Sequence, residues 1–107
     1  MPFIDTTKLK EVERRPGWRG RFFDSPRMTF GHYLFRKGAD IHAHSHAQEE
    51  VWNVIEGELQ ITIAGQTQTA GPGGVAIIPP NTEHHVLALS DGKAIVVDYP
   101  LRTEFRR

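Results

Sequence analysis

Five of the six histidines stand in two groups, His42, His44 and His46 in one and the pair His84-His85 in the other. Glu49 and Glu50 follow the first group, just ahead of the apolar run Val51-Trp52-Asn53-Val54-Ile55. Imidazole and carboxylate together make a ligand set for a divalent transition ion. Residues two apart share one face of a strand but scatter around a helix axis, so the first three imidazoles act together only on extended chain. Imidazoles on one strand, a carboxylate on the next and an imidazole on a third converge only inside a barrel. Buried imidazoles need a hydrogen-bond partner or a metal, which makes a metal centre the expected use of this set. Such a centre polarises a carbonyl or enediol as a Lewis acid, or activates O₂ if the ion is Fe(II).

The rest of the chain supplies strands to hold that set. Short alternating or apolar runs divided by Gly and Pro predict strands at Trp18–Asp24, Met28–Arg36, Ile41–His46, Val51–Ile55, Leu59–Ala64, Gln66–Ala70, Val75–Ile78, His84–Leu89 and Ala94–Tyr99. Ala64-Gly65-Gln66 reads as a hairpin tip and Gly71-Pro72-Gly73-Gly74 as a sharp corner. Only Thr7–Arg15 has a helical pattern, a turn or two stopped by Pro16-Gly17. So many strands in one short chain must pair or close to hide their edges. The expected fold is all-β, a small antiparallel jelly-roll barrel, with Leu59, Ile61, Ile63, Val75 and Ile77 packed between its sheets. If Glu50 points inward, Trp52 and Val54 do too, and Val51 and Ile55 point out. Those outward apolar residues need a covering surface, which a homodimer, with Met1–Asp5 as a pairing strand, would provide.

Composition narrows the class further. At 107 residues the chain is one domain's length, so we take 1–107 as a single unit. Lys+Arg 13 balances Asp+Glu 13, which argues against a broad basic face for nucleic acid or a polybasic membrane anchor. No apolar run approaches the ~20 residues of a spanning helix. The opening Met1-Pro2-Phe3-Ile4-Asp5 lacks the order of a signal peptide. Without cysteine there is neither disulfide nor thiolate chemistry. A soluble cytoplasmic protein with a small-molecule ligand is the expectation, with no nucleic acid or membrane partner.

Gly38, His44, His46, Glu50 and Gly57 fill every fixed position of the pattern G(X)5HXH(X)3,4E(X)6G. Gly73, Pro79 and His84 fit G(X)5PXG(X)2H(X)3N, with Asn81 in place of its central Gly and Ala88 in place of its final Asn. Both patterns belong to the cupins, and the chain resembles that family from Gly38 to Ala88. Asn is the best substitute for Gly where φ is positive, so the turn should survive. The resemblance implies that His44, His46, Glu50 and His84 bind the metal; Glu50 is chosen over Glu49 by its spacing from His46 and to Gly57. His85 then faces away from His84. His42 shares the face of His44 and His46 but lies outside the pattern, and is expected in the pocket. The ligand set leaves the ion open among Zn, Fe, Ni, Mn and Cu.

The ending Asp98-Tyr-Pro-Leu-Arg102 is similar to that of small cupins of pectin and uronate breakdown, in which a late acidic residue and an arginine line the pocket. Val96 stands where the acidic residue is expected, and Asp98 has the same strand parity. The resemblance implies metal-assisted isomerisation or tautomerisation of a sugar acid or similar carbonyl compound. Asp98 or His42 would move the proton, Trp52 would wall the cavity, and Arg102 would pair with a substrate carboxylate. An Fe-dependent dioxygenase and a non-catalytic metal- or ligand-binding cupin are the alternatives.

Overall fold

The computed structural model describes residues 3–103. Its strands are β1 (Val12–Arg15), β2 (Trp18–Asp24), β3 (Thr29–Phe35), β4 (Asp40–His44), β5 (Glu49–Glu56), β6 (Leu59–Ile63), β7 (Gln66–Ala70), β8 (Val75–Ile78), β9 (His84–Ala88) and β10 (Gly92–Tyr99). They form two antiparallel sheets, a six-stranded one in the order β1-β2-β3-β10-β5-β8 and a four-stranded one in the order β4-β9-β6-β7. Packed face to face, these make the expected jelly-roll barrel. No helix among the described residues is long and apolar enough to cross a membrane.

Alternation sets the core. Along β5, Glu50, Trp52 and Val54 are buried, and on β10 Ala94, Val96 and Asp98 are. The register Asp98↔Glu50 and Val96↔Trp52 places these residues side by side on one inner face. Leu59, Ile61 and Val86 close the barrel from the other sheet, and Ile63 packs against the cluster from its margin. Trp18, Phe35 and Trp52 fill the middle, Trp18 meeting Trp52 edge-on at 5.7 Å between ring centres.

Three segments depart from the sequence reading. Thr7–Arg15 is not a helix: a single 3-10 turn at Thr6–Lys8 is capped by Asp5, and the chain then enters β1. The Pro16-Gly17 turn folds β1 onto β2, with the Glu13 carboxylate accepting from the Gly17 N–H at 3.0 Å. Pairing with β2 outweighs the weak local preference for helix. Val75 and Ile77 do not pack between the sheets and are 55% and 60% exposed. In the β5–β8 register Glu50 faces Ile78 and Trp52 faces Ala76, so those two take the inner face of this edge strand. Val75 and Ile77 instead extend an outer apolar strip with Val51 and Ile55. Phe3–Asp5 form no strand, and Met1 and Pro2 lie outside the described residues.

Candidate metal centre

The three imidazoles reach their places by different routes. In the pairing of β4 with β9, Ile41 opposes Val86 and His44 opposes His84, with a register shift between. That irregularity makes Ile41 and His44 the inward residues although they are three apart. A bulge of this kind re-aims side chains next to a site. It also turns His42 outward: His42 is exposed and does not line the cavity, contrary to the shared face expected of it. His46 lies beyond the end of β4, on the loop leading to Glu50. Its carbonyl accepts from the Asn81 N–H at 2.7 Å, tying that loop to the turn before His84. Asn81 has φ 58, the left-handed conformation expected of it in place of Gly.

Each imidazole is oriented by the main chain. Nδ1 of His44, His46 and His84 lies 2.9, 3.1 and 2.8 Å from the carbonyl oxygens of His42, Gln48 and Thr82. A carbonyl can only accept, so Nδ1 carries the proton and Nε2 presents a lone pair. These donor atoms lie within 4.8 Å of one another, and His46 forms a second such group with Glu50 and Asp98. Nε2 of His46 is 3.0 Å, and Nε2 of His84 3.6 Å, from the Glu50 carboxylate. Neither nitrogen has a hydrogen-bond partner, because in the neutral ring lone pairs face lone pairs across these gaps. A cation or a proton is what the space lacks. Donors bound at about 2.1 Å to one ion sit roughly 3.0 Å apart at right angles and about 4.2 Å apart across it. The imidazole trio, within 4.8 Å, and the Glu50 oxygens at 3.0 and 3.6 Å from two of its members are spaced on this scale.

Charge around the site points the same way. Glu50 is 4% exposed. Burial alone would raise its carboxyl, but the close imidazoles of His46 and His84, the neighbouring Asp98 and the Trp52 indole N–H hold it well below the usual carboxylate range. Burial lowers His84, yet the contact with Glu50 and the bond to the Thr82 carbonyl outweigh it and leave the imidazole raised. His44 is lowered, chiefly by burial. Arg102 is buried and places Nη1 3.2 Å from Glu50 and 3.8 Å from Asp98. Its guanidinium, expected to hold a substrate carboxylate, is thus directed at the protein's own carboxylates. Its backbone N–H is held by the Thr29 hydroxyl at 2.9 Å, which in turn donates to Asp24 at 2.7 Å.

A cavity of about 320 Å³ opens onto this cluster. His44, Glu50, His84, Trp52, Asp98 and Arg102 all line it. His85 points away and pairs with Asp40 at 3.7 Å. Sequence reasoning missed the rest of the lining, Arg14, Arg15, Trp18, Phe22 and Tyr33, carried by β1, β2 and β3. Strand alternation placed Tyr33 with Phe35 and could have found it. The arginines were hidden by the helical reading of their segment.

Residues 31–100 match the profile of the cupin domain. An RmlC-like cupin from Shewanella frigidimarina superposes with a TM-score of 0.92 at 22% identity, covering 98% of this chain and 96% of that one. KdgF from Halomonas sp. gives 0.90 at 21%, covering 98% of each chain. Oxalate decarboxylase of Bacillus subtilis gives 0.82 at 17%, covering 91% of this chain and 29% of that one. At these identities the likeness is one of fold.

Proposed function

Because the chain belongs to the cupin family, we propose that it is a metal-dependent enzyme that isomerises or tautomerises a small, oxygen-rich carbonyl compound such as a sugar acid. The observation that carries the reading is the convergence of three imidazoles, two of which turn unpartnered nitrogens toward the buried Glu50 carboxylate. His44, His46, His84 and Glu50 would hold the ion. When bound, a divalent ion would polarise a carbonyl oxygen and stabilise the negative charge that develops as a neighbouring C–H loses its proton.

The remaining work falls to the chain. Asp98, buried at the cavity wall beside Glu50, takes the proton from carbon and returns it to the adjacent position. With His42 outside the cavity, Asp98 carries this role alone. The Arg102 guanidinium offsets the negative charge that Glu50 and Asp98 bring together at this wall. Trp52 closes the floor and donates from Nε1 to Glu50, fixing the carboxylate that faces the imidazoles. A redox reading draws some support from another structure of oxalate decarboxylase, which is described for its Mn(II) centres.

The test is turnover of a uronate by protein loaded with Zn(II) or Ni(II) under strict anaerobiosis. Activity there supports the proposal. Activity only with Fe(II) or Mn(II) and O₂ would replace it with an oxidative enzyme, and none across metals and substrates with a non-catalytic binder. We further propose that the strip of Val51, Ile55, Val75 and Ile77 is covered by a second copy of the chain. A monomer in sedimentation at micromolar concentration would contradict this.

A further inference from the structure

The cavity lining has two unlike parts. The imidazoles, Glu50, Asp98 and Arg102 make a polar part; Trp18, Phe22 and Tyr33 make an aromatic one, and Arg14 and Arg15 also border the cavity. The arginine segment is shaped by an irregularity in β1, where Val12 pairs with Gly20 and Glu13 with Arg19 but Arg15, not Arg14, pairs with Trp18. Paired residues on antiparallel strands share a face, and Trp18 faces the core at 2% exposure. Without the extra residue Arg14 would oppose Trp18. The bulge therefore puts Arg15 on the inner face, a use of bulges common beside functional sites.

The charge on Arg15 is not spoken for. Arg19 and Arg21 pair with Glu11 at 3.6 and 3.9 Å, and Arg102 pairs with Glu50 and Asp98. Among the described residues no carboxylate pairs with Arg15. It lines the same cavity as Tyr33 and His44, and its charge acts on both. Three guanidinium groups border the cavity against two carboxylates, and a divalent ion would make it more positive still. Flat surface is provided beside it. Side chains at Gly20 and Gly31 would collide with the Phe22 ring, which lies over both glycines and meets Tyr33 edge-on at 5.5 Å.

We propose that Arg15 receives the anionic group of the ligand, so that the substrate is a small carboxylate whose flat or apolar part lies against Phe22 and Tyr33 while its carbonyl end faces the imidazoles. Arg15, not Arg102, is then the specificity residue for negative charge. The proposal rests on the cavity being the ligand site of the proposed enzyme, but not on its holding a metal or on the reaction it catalyses.

The experiment uses benzoate, a flat monocarboxylate, against benzamide, its neutral counterpart. Both tryptophans of the chain line the cavity, so quenching of their fluorescence reports its occupancy. Binding is measured to metal-loaded and to metal-stripped protein. A charge-assisted pair of this kind changes affinity by roughly 10–100-fold. Arg15→Gln should weaken benzoate by that factor in both forms and leave benzamide unchanged, and Arg15→Lys should recover part of the loss. Arg19→Gln on the outer face should do nothing. Equal effects of Arg15→Gln and Arg19→Gln would reduce the result to bulk charge and overturn the proposal. So would benzoate binding that needs the metal and ignores Arg15, or an absence of benzoate binding in either form. Failure to bind any metal would sink the enzymatic reading, yet the metal-stripped measurement would still judge Arg15.

Discussion

Replacing Arg102 by Met separates a structural cation from a substrate hook. The side chain is 9% exposed and its partner Glu50 5%, so solvent does little to screen the pair. At 3.2 Å and an effective dielectric constant near 20, the attraction to Glu50 alone is about 5 kcal/mol before desolvation is counted. Met preserves the stem but leaves two neighbouring carboxylates buried without their guanidinium. Removing one partner of a buried pair costs about 3–5 kcal/mol. For a domain of this size that lowers Tm by roughly 12 °C or more. The loss should shrink on acidification, because the carboxylate pair left without its cation takes up a shared proton. A divalent ion should bind the variant more tightly than the parent, since a positive neighbour has gone. Urea titrations of the metal-stripped proteins and a competitive chelator assay measure both quantities. If Arg102 served only to hold substrate, metal-free stability would be unchanged. A loss below about 1 kcal/mol, or weaker metal binding, would refute the reasoning.

His84→Ala should lower metal affinity by more than the roughly 10–100-fold typical of changing a residue that merely orients a ligand, whereas His85→Ala should leave it near the parent value by elemental analysis. In metal-stripped protein the raised His84 contributes stability that is complete below the free-imidazole pKa near 6.5 and lost as pH rises through its folded value. The metal reverses this sign because it requires neutral imidazoles, so melts of the two forms should converge on acidification and separate on alkalinisation. Asp98→Asn should retain the metal while cutting isomerase turnover by roughly 10²–10⁴-fold. Gly38 and Gly57 have φ of +88 and +80, but only at Gly57 would a Cβ run into the Asp91 carbonyl and the Ser90 hydroxyl. Gly38→Ala should therefore cost about 1–2 kcal/mol and Gly57→Ala an additional 1–3 kcal/mol in denaturant titrations.

Strand alternation carried most of the fold because β2, β7 and β8 begin and end at the Gly, Pro and polar residues that punctuate the sequence. It also placed Glu50, Trp52 and Val54 inward together, as found. It failed where the count is broken. The shift between Ile41 and His44 moved His42 out of the cavity, and nothing in Ile41-His42-Ala43-His44 announces a bulge. The same kind of shift in β1 determined which of two adjacent arginines faces inward. Local pattern also misread Val75 and Ile77, since an apolar strand looks alike whether both faces are covered or one is bare. Arg102 was legible as a cavity residue, but its partners depend on side-chain geometry across three strands and left no trace in spacing.

The peptide carbonyls that orient His44, His46 and His84 belong to His42, Gln48 and Thr82, and no substitution of those residues deletes a carbonyl. Where a carboxylate side chain does this work, a single codon change can undo it. Here tautomer control is written into the path of the backbone, and only a change that reshapes the segments around residues 42–48 or 80–84 can erase it. The part of the lining made by Phe22, Tyr33 and Arg15 has no such protection and no such constraint. Replacing an imidazole still removes a ligand, but the aim of the remaining ones is buffered against changes at the residues that orient them, while the part of the cavity that meets the ligand is open to revision one residue at a time.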